Sequence, residues 1–222
     1  MAPQSIPEAI RTLAEAGGTV APGAVLAQIV DTTHVAPQIP PHVHINVIDQ
    51  EGRYYNPLHF FPPLPDALAP VLVGVYVVDP TNQVVAGGNP ASIFDEIIAP
   101  GAYELVLDII DQIPPAMHGE AIYKLVVSTN GVLLGKVEFD RLPANNYLTG
   151  VSDIYKLEPI RLRDGRLLTN QVDLATPRKF LYRFPFQTEK FSNATTDRVR
   201  VAIEAADYAG NTRAATVELK LR

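Results

Sequence analysis

Twenty prolines and fourteen glycines cut the 222 residues into short apolar segments. Few segments reach the length a helix needs, and proline is excluded from helix and central-strand interiors. The punctuation therefore selects β-strands joined by turns. The pattern inside the segments agrees. Tyr103–Ile110 sets Tyr103, Leu105, Leu107 and Ile109 against Glu104, Val106 and Asp108. Arg198–Ala205 turns Val199, Val201 and Ile203 one way, and Thr216–Arg222 turns Val217, Leu219 and Leu221 against Glu218, Lys220 and Arg222. A period of two with one apolar face is half-buried antiparallel sheet. Asn130-Gly131, between Ala121–Ser128 and Val132–Phe139, predicts a type I′ hairpin because both residues tolerate positive φ. About seven such strands predict a sandwich.

The first sixty residues read differently. Ser5-Ile6-Pro7-Glu8 has capping-box spacing with proline in a first helical turn, and Ile6, Ile10 and Leu13 recur at helical spacing until Gly17-Gly18. One short helix over residues 7–16 is predicted. Thr19–Val20 and Val25–Val30 flank a Pro22-Gly23 turn, Asp31–Pro41 is a loop, and His42–Ile48 is a strand. The run Phe61-Pro62-Pro63-Leu64-Pro65-Asp66 makes a stiff connector, which divides the chain into residues 1–66 and 67–222. Tyr155–Phe186 is less regular and is expected to hold long loops.

Bulk properties exclude several functions. A formal net charge of −6 gives no general affinity for nucleic acid or anionic lipid. The one basic group, Arg161, Arg163 and Arg166, reads as a solvated loop face. The absence of cysteine rules out disulfides and thiolate zinc sites. Val71–Val78, the longest plain apolar run, is too short to span a bilayer, so no transmembrane segment is expected. MAPQSIPEAI lacks the basic and apolar regions of a secretory signal, and any export signal is expected upstream.

Two histidines, His42 and His44, stand one residue apart in the predicted strand. They project to one face, roughly 7 Å apart along the chain, close enough to share a metal or to divide metal and substrate between them. Catalytic zinc takes three protein ligands and keeps a fourth position open, so H-x-H alone does not define a site. The surroundings add to it. Pro41-His42-Val43-His44-Ile45-Asn46-Val47, followed by Asp49, Gly52 and Asn56-Pro57-Leu58, resembles the closing segment of lysostaphin/LytM-type zinc metallopeptidases. There a proline-flanked H-L-H strand leads to a short hairpin and an N-P pair. Gly18–Ala27 is similar to the hairpin that precedes that strand in the family. The resemblance covers about Ile6–Phe61, roughly a quarter of the chain.

That resemblance implies a β-sheet core completing a peptidase domain, with His44 as a zinc ligand and His42 as the catalytic histidine that polarises the attacking water. It also implies peptidoglycan, or another cell-wall peptide, as substrate, and a bacterial envelope location, periplasmic or secreted. The family's remaining ligands come from an upstream H-x-x-x-D motif. Here the only earlier histidine, His34, is followed four residues on by Gln38. The expectation is a C-terminal portion of the peptidase domain, inactive alone. Ile45 and Asn46 also replace the family's aromatic and acidic residues.

The remaining candidates are weaker. Asp31 and His34 could fold over the pair, whereas Asp49 stands at odd spacing from His44 and faces away. A cupin needs a glutamate where Ile48 and Asp49 stand. His59 reads as a packing residue, His118 as a solvated loop residue, and Asp108 with Asp111 as solvated strand-end carboxylates. No G-x-S-x-G, P-loop or dinucleotide fingerprint occurs. Ala205-Ala206-Asp207-Tyr208-Ala209-Gly210-Asn211 resembles the A-x-D-x-x-G-N hairpin of bacterial immunoglobulin-like domains, so residues 67–222 are expected to form such a sandwich. The competing expectation is a non-catalytic envelope protein whose sandwich binds a glycan or a protein.

Overall fold

The computed structural model describes residues 46–62, 65–89, 94–112, 119–142, 151–170, 179–190 and 197–222, with Thr19, Ala21 and Ala24. The predicted N-terminal helix, the strands around Pro22-Gly23 and the His42–His44 stretch lie outside them. The chain divides into Met1–Ile45 and Asn46–Arg222. The second unit is mainly β.

Its first strands are short. β1 (Val47–Ile48) and β2 (Tyr54–Tyr55) form a hairpin. The run of valines that follows the proline-rich connector becomes β3 (Val71–Val78), which pairs with β4 (Val84–Gly88). Next come β5 (Ile97–Ile98), the long β6 (Ala102–Gln112) and β7 (Gly119–Glu120). β8 (Lys124–Thr129) and β9 (Val132–Glu138) are joined by Asn130 and Gly131, whose φ values of 48° and 79° are those of the predicted I′ turn. β10 (Arg141–Leu142) pairs back to β2, so the Val47–Tyr55 hairpin belongs to this unit; the connector read as a boundary at residue 66 lies inside it. A four-residue helix, α1 (Val151–Ile154), precedes the small hairpin of β11 (Ile160–Arg161) and β12 (Leu167–Leu168). β13 (Leu181–Gln187), β14 (Arg198–Ala206) and β15 (Thr212–Leu221) complete the chain.

Two five-stranded sheets result. One runs β13-β6-β3-β4, with β7 paired to β6; the other runs β5-β15-β14-β8-β9. All pairings within them are antiparallel except that of β5 with β15. The chain crosses between sheets from β6 to β8 and again from β13 to β14, a Greek-key pattern. The alternation read from the sequence points inward: Leu105, Leu107 and Ile109 of one sheet share a core with Val199, Val201, Ile203, Val217 and Leu219 of the other. Buried Tyr182 ties the layers together by accepting a hydrogen bond from the Ile122 amide at 3.1 Å.

The outer face of the first sheet is also covered. Val78, Val84, Val106 and Leu181 pack against Ile160 and Leu168 of the β11–β12 hairpin. β6 is therefore buried on both faces, which overturns the reading of Asp108 and Asp111 as solvated. They are 1% and 3% exposed, and the alternation of the strand sends them to opposite sides. Among the described residues, no helix is long and apolar enough to cross a membrane.

The sheets meet closely at one edge. A Cβ on Gly135 of β9 would fall 2.5 Å from Cδ1 of Phe184 on β13. The Phe184 ring is itself buried, so it has little freedom to yield. Gly135→Ala should destabilise the fold by about 1–3 kcal/mol, seen in urea unfolding as a lower midpoint with an unchanged slope.

Candidate functional site

His42, His44, Asp31, His34 and His118 lie outside the described residues. The segment that leaves the histidine pair is described, and its local chemistry is fully engaged. Asp49 organises the β1–β2 turn: its carboxylate accepts from the amides of Glu51 (2.9 Å) and Arg53 (3.0 Å), from Arg53 Nε (2.6 Å) and from the Tyr55 hydroxyl (3.1 Å). Desolvation pushes its pKa up, but those bonds together outweigh it and draw the value down to about 2. Asp49 serves the turn.

Asn56 then starts a 3-10 helix, Pro57–Phe60. Its side-chain oxygen accepts from the Leu58 amide (3.0 Å), and its Nδ2 donates to the Phe139 carbonyl (3.0 Å). Its own amide donates to the Asp140 carbonyl at 2.9 Å. Proline fits the first helical position because its missing N–H would be unpaired there anyway. The N-P pair is thus a cap that also docks the hairpin on the β9–β10 connection.

The turn of that helix carries His59, which does more than pack. Nε2 is 3.0 Å from Asp140 Oδ1 and Nδ1 is 2.8 Å from the Tyr208 hydroxyl. The ring meets those of Tyr208 and Tyr123 edge-on, with centroids 5.3 and 6.3 Å away. Tyr123 donates its hydroxyl to the same Asp140 oxygen. That bond, with lesser burial and the nearby acidic charges, raises the Tyr123 pKa to about 12. Asp140 and Tyr208 stand 81 and 149 residues from His59, so no local spacing could have announced the cluster. All four groups are satisfied by one another on an open surface, an arrangement that fixes the connector.

A second convergence involves carboxylates. Asp66 before β3, Asp111 near the end of β6 and Asp207 after β14 each bring one oxygen within 4.8 Å of the others. Asp207 is held by the turn it starts, accepting from the Asn211 amide and Nδ2, both at 2.8 Å, and Gly210 supplies the positive φ of 91°. Asn211 Nδ2 also donates to the Asp66 carbonyl at 3.2 Å, and Arg213 Nε to the Pro70 carbonyl at 3.2 Å, which fastens the entering strand to this turn. The A-x-D-x-x-G-N motif exposed Asp207 to sequence reading; its partners are 141 and 96 residues upstream (207 − 66 and 207 − 111). An all-oxygen set of this kind suits a hard divalent cation, whereas a structural zinc site uses nitrogen or sulfur. The other buried charges are structural: Lys156, 5% exposed, lies 2.8 Å from Glu104 and 3.2 Å from Glu158, and Asp108 lies 3.8 Å from Lys179.

Comparison with protein-family models, with curated proteins and with solved structures finds no match to this chain.

Burial, and then the charges of Asp207, Asp66 and Glu120, push the Asp111 carboxyl up to about 6. An acid whose folded pKa exceeds its unfolded value binds a proton more readily when folded. Stability therefore falls as pH rises from about 4 to 6, and the cost persists above that window. Asp111→Asn should raise stability at pH 7.5 in chelator-containing buffer, on the order of 2 kcal/mol. The difference should vanish by about pH 3.5. Urea midpoints of both proteins across this range check it.

Proposed function

We propose that the chain carries the histidine-pair portion of a lysostaphin-type zinc metallopeptidase site, joined to an immunoglobulin-like sandwich, in a protein of the bacterial cell envelope. The observation that carries this reading is the order of features after Pro41. His42-Val43-His44 runs directly into β1, the chain turns on Asp49 and Gly52, and Asn56-Pro57 caps the segment beyond. The family's closing segment has the same order. The second half of the reading is supported by strand order: β3, β6 and β13 in one sheet, β9, β8, β14 and β15 in the other, with β5 running parallel to β15. That connectivity is compatible with an immunoglobulin-like sandwich, and the turn at Asp207–Asn211 joins its last two strands.

The chemistry assigned is hydrolysis of a peptide bond in a cell-wall peptide. Zinc, when bound, supplies Lewis acidity and a water of lowered pKa. His44 would be one of its ligands, through a neutral ring nitrogen. His42, two residues before it in the sequence, would hold or take a proton at the reacting water. These 222 residues contain no H-x-x-x-D motif, so two histidines alone offer weak binding and do not fix an open tetrahedral site.

Zinc titration of the full chain tests the reading. Binding should be weak and histidine-dependent, lost in His42→Ala/His44→Ala. His44→Ala should cost less than about 0.5 kcal/mol of stability. Added zinc should give no cleavage of oligoglycine or peptidoglycan. Zinc uptake unchanged by the double substitution would remove the reading. Turnover that disappears in His44→Ala would show a complete site and contradict the partial one.

A further inference from the structure

Next to the Gly135–Phe184 contact, a groove of about 530 Å³ opens between β9 and β13. Both are terminal strands of their sheets. Val132, Leu133 and Pro185 give it apolar walls, and Gln187 and Lys190 stand on the β13 side. Pro185 fits there because an edge strand does not need its missing N–H. Val132 and Leu133 are 63% and 61% exposed, an unusual position for large apolar residues at a hairpin tip.

The groove also contains a polar group without a partner. Thr129 ends the inward-facing series Leu125, Val127, Thr129 of β8; it is fully buried and lines the groove. Its Oγ1 makes no hydrogen bond among the described residues. A buried hydroxyl left unpaired costs free energy that a ligand supplying the bond would recover. Val132, its cross-strand neighbour, is mostly exposed and free to change rotamer as a ligand enters.

We propose that this groove binds a short peptide ending in a free carboxylate. The volume falls in the range of small-ligand sites. Lys190 is the one charged residue lining it and has no ion-pair partner among the described residues, so it fits a single anionic group. Thr129 Oγ1 and the Gln187 amide suit peptide N–H and C=O groups, and the valine, leucine and proline walls suit an apolar side chain. A sugar is disfavoured because no aromatic platform lines the groove among the described residues. A nucleic acid is disfavoured by one cation on a chain of net charge −6. The groove belongs to the sandwich alone, and peptide binding there would not depend on the histidine pair.

The test is an NMR titration of the full chain with acetyl-Ala-Leu-Ala as the free acid and as the C-terminal amide, with chitotetraose as a third probe. The acid should shift resonances of Thr129, Leu133 and Gln187 and saturate, and the amide should bind about tenfold more weakly. Lys190→Gln should weaken the acid by a similar factor while leaving the amide unchanged. Thr129→Val should weaken both about fivefold without lowering the melting temperature, since an unpaired hydroxyl contributes nothing to the fold. Equal binding of acid and amide, insensitivity to both substitutions, no saturable shift at these residues, or binding of chitotetraose in place of peptide would each overturn the proposal. So would a lower melting temperature in Thr129→Val, because it would reveal an internal partner for the hydroxyl.

Discussion

The inward faces of β6 and β14 lie in different sheets yet belong to one core, and neither strand could be stable without the other. Leu105, Leu107 and Ile109 are fully buried only because Val199, Val201 and Ile203 cover them from the opposing layer. Each such side chain contributes roughly 1.5–3 kcal/mol when removed from water, and an isolated sheet face would forgo most of that. The constraint fixes register as well as stability: a one-residue slip of β14 would turn Arg198, Arg200 and Glu204 into the core. That is why the long strands pair over nine residues without a bulge, Arg198 against Lys220 through to Ala206 against Thr212.

The polar clusters of interest sit at the ends and edges of this layered core. At one end, Asp66, Asp111 and Asp207 converge because three strands enter or leave together, and Asn211 and Arg213 tie the entering segment to the last turn. Nearby, Asn56 and His59 fasten the β1–β2 hairpin through Phe139, Asp140 and Tyr208. The segment beyond the histidine pair is thereby anchored to the sandwich by side-chain and backbone bonds. At an edge, Thr129 and Val132 flank the β8–β9 turn; the Thr129 hydroxyl has no hydrogen-bond partner among the described residues, and the groove lies between this turn and Pro185 and Lys190.

How much of this can be read from residues depends on the range of the interactions. The strands Tyr103–Ile110 and Arg198–Ala205, and the Asn130-Gly131 turn, are legible because alternation and positive φ are local properties. The last strand is legible only from Thr216 onward: β15 begins at Thr212, and Arg213-Ala214-Ala215 carries no apolar alternation. The burial of the outer face of β6, which carries Val106 and Asp108, is illegible because Ile160 and Leu168, which pack on Val106, come from a hairpin more than fifty residues away in a stretch that reads as loop. The hydrogen bonds of His59 and the carboxylate convergence at Asp111 depend on tertiary closure in the same way. The groove is formed by the free edges of two sheets, which no strand pattern encodes.

Native-state hydrogen exchange tests the central claim, that the two sheets are one cooperative unit. Amides of Leu105–Ile109 in β6 and Val199–Ile203 in β14 should show the same highest opening free energy and the same dependence on denaturant, because exposing either strand requires opening the shared core. If one sheet's amides exchange through an opening of markedly lower free energy while the other's remain protected, the layers are independent and the claim fails.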